Sequence, residues 1–173
     1  MKENQFILRL MTKEDIVPVF ELYKKVWLST YVSKENNILE KDIVDFWSTK
    51  LPYQSDEVIS NEDVLRLVVT YKDLIVATSN TFRKSKDLSL LYINTLYIDP
   101  SFQRKGIGCM MINHIKNYFK NYSNIFLETA TYNNKAIDFY IKNGFSIDSN
   151  WKGNFSLGNG KSLPLIKLTY NIK

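Results

Sequence analysis

A chain of 173 residues, 45% apolar and 14% aromatic, is expected to fold as one compact domain over 1–173 and not to remain disordered. Its apolar runs stop well short of the ~20 residues that span a bilayer, and its single cysteine and single histidine exclude an intrachain disulfide and a structural zinc site. The net charge of +5 is uneven: three lysines face eight carboxylates in Lys34–Asp63, whereas ten Lys or Arg face three carboxylates from Arg104 onward, which argues against a uniform nucleic-acid-binding stripe.

In chain order, the N-terminal apolar stretch is too short for a secretory signal, so a cytoplasmic protein without a membrane partner is expected. "QFILRLM" reads as a strand, and Thr12 as the cap of a helix with Glu14 and Asp15 in its first turn. Ile16, Val19, Phe20, Tyr23 and Val26 give that helix one apolar face. A second helix is predicted over Lys34 to Ser48, with Ile38, Leu39, Ile43, Phe46 and Trp47 inward. "VLRLVVTY" and "LIVATSNTF" form a hairpin about Lys72-Asp73, and "LSLLYINTLYID" is a longer strand halted by Pro100. A helix carrying Ile107, Met110, Met111, Ile115, Tyr118 and Phe119 follows. Then come the strand "NIFLETAT", a short helix "NNKAIDFYIKN" stopped by Gly144, and the strands "FSIDSNW" and "SLPLIKLTYNI". The order β-α-α-β-β-β-α-β-α-β-β describes an α/β (α+β) fold, a mixed and mostly antiparallel sheet flanked by helices.

"QRKGIG", Gln103 to Gly108, sits between the long strand and the third helix. A helix starting here leaves its first amides unpaired, its dipole favours negative charge, and glycine permits positive φ and close approach. Arg104 and Lys105 add positive charge, so the turn suits phosphate oxygens held by main-chain amides. Met111 stands where a dinucleotide fingerprint needs a third glycine, and Cys109-Met110 where a Walker loop needs Lys-Ser/Thr.

The combination of a long strand, "Q-x-x-G-x-G", a helix, a strand and "NNKAIDFYIKNGF" (Asn133 to Phe145) resembles the GNAT superfamily of acyl-CoA-dependent N-acyltransferases. "VWLSTY" and "SLPLIKLTY" resemble its PaiA-type polyamine acetyltransferase branch. The resemblance implies acetyl-CoA as co-substrate and no metal. Main-chain groups along Leu96, Tyr97 and Ile98 would pair with the pantetheine arm. The amides of Gln103, Arg104, Lys105, Gly106, Ile107, Gly108 and Cys109 would hold the pyrophosphate. Asn133 would bond the pantetheine amides, with Lys142 a weaker contact. Tyr140 matches the general acid that protonates the departing thiolate, a task its ordinary pKa of about 10 suits.

The general base stays open. Asn94 stands where the polyamine branch tends to place a Glu, and Glu128 on the next strand is an available carboxylate whose face alternation leaves open; both join Trp27 and Tyr31 as candidate acceptor contacts. A water chain, or positioning alone, serves equally. His114 is expected on a helix face, and Cys109 packed in the first helical turn. Trp27, Tyr31, Phe46 and Trp47 cluster beside the anionic Lys34–Asp63 segment, which points to a small cationic amine acceptor such as a polyamine. Competing readings are a protein N-terminal or lysine acetyltransferase, a non-catalytic acyl-CoA sensor and a basic nucleic-acid binder. A homodimer is left open.

Overall fold

The computed structural model describes residues 6–52, 60–84, 87–119 and 121–171. The start of the first expected strand at Gln5 and two carboxylates of the anionic segment, Asp56 and Glu57, lie outside them. The strands are β1 (Ile7–Leu10), β2 (Val64–Tyr71), β3 (Leu74–Lys84), β4 (Asp87–Ile98), β5 (Asn124–Ala130), β6 (Ser146–Ile147), β7 (Gly153–Ser156) and β8 (Ser162–Asn171). The helices are α1 (Ile16–Tyr31), α2 (Glu40–Ser48), α3 (Ile107–Tyr118) and α4 (Asn134–Lys142). One sheet runs β1-β2-β3-β4-β5-β8-β6, with β7 paired to β8 outside that path. β4 and β5, joined through α3, pair in parallel; the other pairings are antiparallel. This is the expected mixed α/β architecture.

Each sheet face buries a different set of helices. On one, Ile107, Met111, Ile112 and Ile115 of α3 and Tyr140 of α4 pack on Leu65, Leu67, Leu91, Ile93 and Ile125. On the other, Trp27 and Tyr31 of α1 and Ile43 of α2 pack with Ala130, Leu157 and Leu163. Lys72 and Asp73 both take positive φ (49° and 65°), the backbone a two-residue hairpin between right-twisted strands requires.

Three local expectations change. At the α1 entry Thr12 is the cap, as expected, but the first turn is a 3-10 turn, Lys13–Asp15, and the Asp15 carboxylate closes a capping box, accepting from Thr12 N–H at 2.8 Å and from Arg9. The second helix starts at Glu40, not Lys34. Ser33 and Ile38 exchange backbone bonds of 2.8 and 2.9 Å across a turn in which Asn37 has φ 54°, and Asp42 accepts from Leu39 N–H to begin the helix. Leu39 is accordingly exposed. Finally, "FSIDSNW" shrinks to the two residues of β6, while β7, not anticipated, adds a hairpin against β8 and makes a twelfth element.

Candidate active site

β4 and β5 share only three paired positions, Leu90–Tyr92 against Asn124–Phe126. Beyond Tyr92 they diverge: β4 continues against β3 alone and β5 against β8 alone. Asp99 N–H bonds Val76 O at 2.8 Å, so by antiparallel alternation Thr95, Tyr97 and Asp99 direct their main-chain groups to β3, and Leu96 and Ile98 direct theirs into the gap. The Ile98 carbonyl there accepts a 3.3 Å bond from Gln103 Nε2. The wedge therefore exposes a short unpaired strand edge, the feature an extended amide-bearing chain can complete.

One end of the wedge meets the start of α3. Asp99 accepts from Ser101 N–H (2.9 Å) and from Lys25 Nζ (2.6 Å), fixing the turn that leaves β4. Burial alone would raise the Asp99 carboxyl, but these bonds outweigh it and hold it below the usual carboxylate range. Arg104 (φ 60°) and Gly106 (φ 83°) are both left-handed, and Gly106 caps α3 with no side chain of its own on the first-turn amides. The first intrahelical bond is Met110 N–H to Gly106 O, so amides N-terminal to Met110 face an exposed, cationic mouth. The second glycine has a different cause. A Cβ on Gly108 would lie 2.7 Å from Phe139 Cζ, so its absence lets α4 close on α3. Cys109 is exposed, not packed as expected, because Ile107 and Gly108 take the inward positions. His114 lies on the α3 face against Tyr118.

α4 supplies two candidates on the α3 side of the sheet. Asn133 caps it, accepting from Ala136 N–H at 3.3 Å while its Nδ2 donates to Thr129 Oγ1 at 3.2 Å. Tyr140 is 6% exposed between the rings of Phe139 and Phe145, and its hydroxyl has no hydrogen-bond partner among the described residues. Burial, and then the neighbouring Tyr97, push its phenol far above the ordinary value. Lys142 is exposed one helical turn beyond Phe139, toward the end of α4 that packs on α3.

A cavity of about 310 Å³ opens on the opposite sheet face, beneath α1 and α2. A bulge creates its floor. Asn80 and Thr81 pair with Thr95 and Ile93, leaving Asn94 as an extra residue, so Tyr92 and Asn94 before the bulge and Thr95 and Tyr97 after it all line the same cavity. Leu96 and Ile98 pack into the core on the other side. The wall is aromatic. Trp27 stacks on Phe46 at 4.9 Å and meets Tyr31, Trp47 and Phe155 edge-on at 4.8–5.5 Å. Trp27 Nε1 donates to Tyr97 Oη at 2.9 Å. Burial pushes the Tyr31 phenol up to about 12, against the opposing effect of its bond with Tyr97.

Glu128 lines this cavity, so alternation does not turn it away. Leu127 is the residue buried in the α3-side core, so its neighbour faces the cavity; sequence alternation could not say which face held the acceptor. Tyr92 Oη donates to Glu128 Oε2 at 3.5 Å, and burial followed by that carboxylate pushes the Tyr92 phenol up to about 12. Among the described residues, the anionic segment places no carboxylate in the cavity wall. Among the described residues Glu128 and Lys50 are the charged side chains in the cavity wall, and Asp42 is engaged instead by Lys161 and Asn159. Phe20, Tyr92 and Phe155 line the cavity without having been anticipated. Phe155 was legible in principle, from Gly153, Phe155 and Leu157 alternating before the glycine-bearing turn Gly158-Asn159-Gly160.

A model of the Acetyltransferase (GNAT) family matches residues 21–145, from α1 to the end of the α4 motif. The chain belongs to this family. Two curated relatives match shorter stretches: "Probable N-acetyltransferase san" of Drosophila melanogaster, 38% identical over 81 residues (44% of each chain), and "N-alpha-acetyltransferase 50" of Danio rerio, 41% identical over 66 residues (36% of this chain, 39% of that one). The match thus spans less than half the length of either. Among solved structures, the PaiA N-acetyltransferase of Thermoplasma acidophilum in complex with coenzyme A superposes with a TM-score of 0.66 at 17% identity, covering 97% of this chain and 99% of that one. The GNAT fold therefore extends over the whole described chain, while the polyamine branch rests on likeness of fold alone.

Proposed function

We propose that the protein transfers an acetyl group from acetyl-CoA to a primary amine by direct attack. The observation that carries this reading is the wedge between β4 and β5. It has uncapped α3 amides at one end, an unpaired strand edge along its side and an aromatic cavity with one carboxylate at the other end. The residues fit the carrier: the turn at Arg104–Cys109 would take its pyrophosphate, and the edges of Leu96 and Ile98 its amides once Gln103 releases the Ile98 carbonyl. Asn133 spends its oxygen on the cap and one Nδ2 hydrogen on Thr129, which leaves its second Nδ2 hydrogen for a pantetheine carbonyl.

In the transfer the amine nitrogen forms a bond to the thioester carbon and the carbon–sulfur bond breaks. Glu128, reached directly or through Tyr92, takes the ammonium proton before attack; the adduct nitrogen then sheds a second proton as Tyr140 protonates the sulfur, and that second proton refills the phenolate. The elevated phenol of Tyr140 keeps that proton at neutral pH. Trp27, Tyr31 and Tyr97 hold the acceptor's apolar body, and Asn94 and Thr95 face its reacting end. A polyamine fits the described lining less well, since its second ammonium would approach Lys50 there. A protein N-terminus is the second reading, favoured by the stretch shared with N-alpha-acetyltransferase 50. Thiol release from acetyl-CoA, measured against polyamines, amino acids, aminoglycosides and peptides with free N-termini, tests both. Turnover of at least one class is expected, and none with any amine would overturn acetyl transfer.

A further inference from the structure

The charges around the cavity point to a property of the acceptor beyond its amine. Among the described residues, Glu128 is the carboxylate of the wall. Around it stand lysines. Lys84 Nζ lies 4.6 Å from the centroid of the Tyr92 ring, whose hydroxyl touches Glu128, and 5.4 Å from that of Phe126. Tyr92 and Phe126 are stacked at 4.8 Å, forming a platform beside the cavity. Lys167 stands directly opposite Glu128 on β8, over the same Phe126 ring, and is paired with Asp148 at 3.4 Å. Lys50 forms part of the wall itself, its ammonium 4.6 Å from the Phe46 centroid. Neither Lys50 nor Lys84 has a carboxylate partner among the described residues. Each ammonium rests on an aromatic face, a contact that holds a cation in place without neutralising it.

We propose that the acceptor carries an anionic group close to its reacting amine: the ammonium is drawn to Glu128 and the anion to Lys84 and Lys50. This rests on the acetyl-transfer reading and narrows its acceptor. A diamine or polyamine would set its second cation against these lysines, whereas an amine bearing a carboxylate satisfies both signs of charge. The chemistry is shared by an acidic peptide N-terminus and a free amino acid.

The test measures kcat/KM for two matched pairs of acceptors in low salt. One pair is peptides that begin Ser-Asp and Ser-Asn; the other is 5-aminopentanoate and its amide. Discrimination of about fivefold for the acid is expected in at least one pair, which identifies the source, and it should shrink in 0.5 M salt. In the Lys50→Glu/Lys84→Glu double variant the preference should reverse toward the amide, with circular dichroism checking the fold. Equal rates within both pairs, or a preference the double variant leaves unmoved, would overturn the proposal while leaving amine acetylation standing. Absence of turnover with every amine would instead remove the acetyl-transfer reading, and this proposal with it.

Discussion

At the scale of single residues, the proposed mechanism gives the proton work to two side chains on opposite faces of the sheet. Tyr140 sits on the α3 side, where the departing sulfur would emerge, and Glu128 on the cavity side, where the amine would arrive. Tyr140→Phe keeps the ring between Phe139 and Phe145 and removes only the hydroxyl. It should lower kcat by about 10² or more while calorimetry finds coenzyme A affinity nearly unchanged; full activity in this variant would remove Tyr140 from the chemistry. Since burial raises the phenol, its proton is retained well above pH 10, and kcat should show no falling limb from pH 8 to 10. Glu128→Gln should depress turnover most at the low end of that range, where the amine is most protonated, and a pH-rate profile unchanged from the parent would reassign the base. The motif around Tyr140 was legible because its spacing is long and fixed. The facing of Glu128 was not legible, because alternation along one strand gives two faces without saying which helices cover them.

At the scale of elements, the two glycines of the loop separate by cause. Gly106 has open space around its missing Cβ but φ of 83°, whereas Gly108 is confined by Phe139. Gly106→Ala should cost about 1 kcal/mol of backbone strain and weaken coenzyme A binding by reshaping the turn. Gly108→Ala should cost about 1–3 kcal/mol through overpacking, seen as a lower thermal midpoint, and Phe139→Leu introduced beside it should recover part of the loss. No recovery would place the clash elsewhere. The periodic helices and the hairpin at Lys72-Asp73 could be read from sequence because local chemistry sets them. The late start of α2 could not, since it depends on the Ser33–Ile38 bridge, nor could β7, whose pairing with β8 only the folded chain supplies.

For the whole molecule, three carboxylates act as clamps between distant segments. Asp42 is held below its usual range chiefly by Lys161; Asp15 and Asp99 are held low by Arg9 and Lys25 against the opposing effect of burial. Their folded-state values are depressed, so their stabilisation is present above the unfolded value of about 4 and is lost as the pH falls through the folded values. The urea midpoint should therefore hold near neutrality and drop below pH 4, and equal midpoints at pH 6 and pH 3 would contradict that. Coenzyme A at 100 times its dissociation constant should add about 2.7 kcal/mol, raising the thermal midpoint. The extra residue at Asn94 has a larger consequence. It sets the two halves of β4 one step out of phase, so that a strand which is core-facing at Leu91 and Ile93 is core-facing again at Leu96 and Ile98. Excising Asn94 itself would only iron out the bulge, leaving Thr95 and Tyr97 toward the cavity and Leu96 and Ile98 toward the core, whereas excising a regularly paired neighbour such as Leu96 would put Tyr97 in an inward place. Which side chains of β4 face the cavity thus depends on where its one extra residue sits, and a deletion library across β4 should tolerate loss best at Asn94 and least at the paired residues beside it.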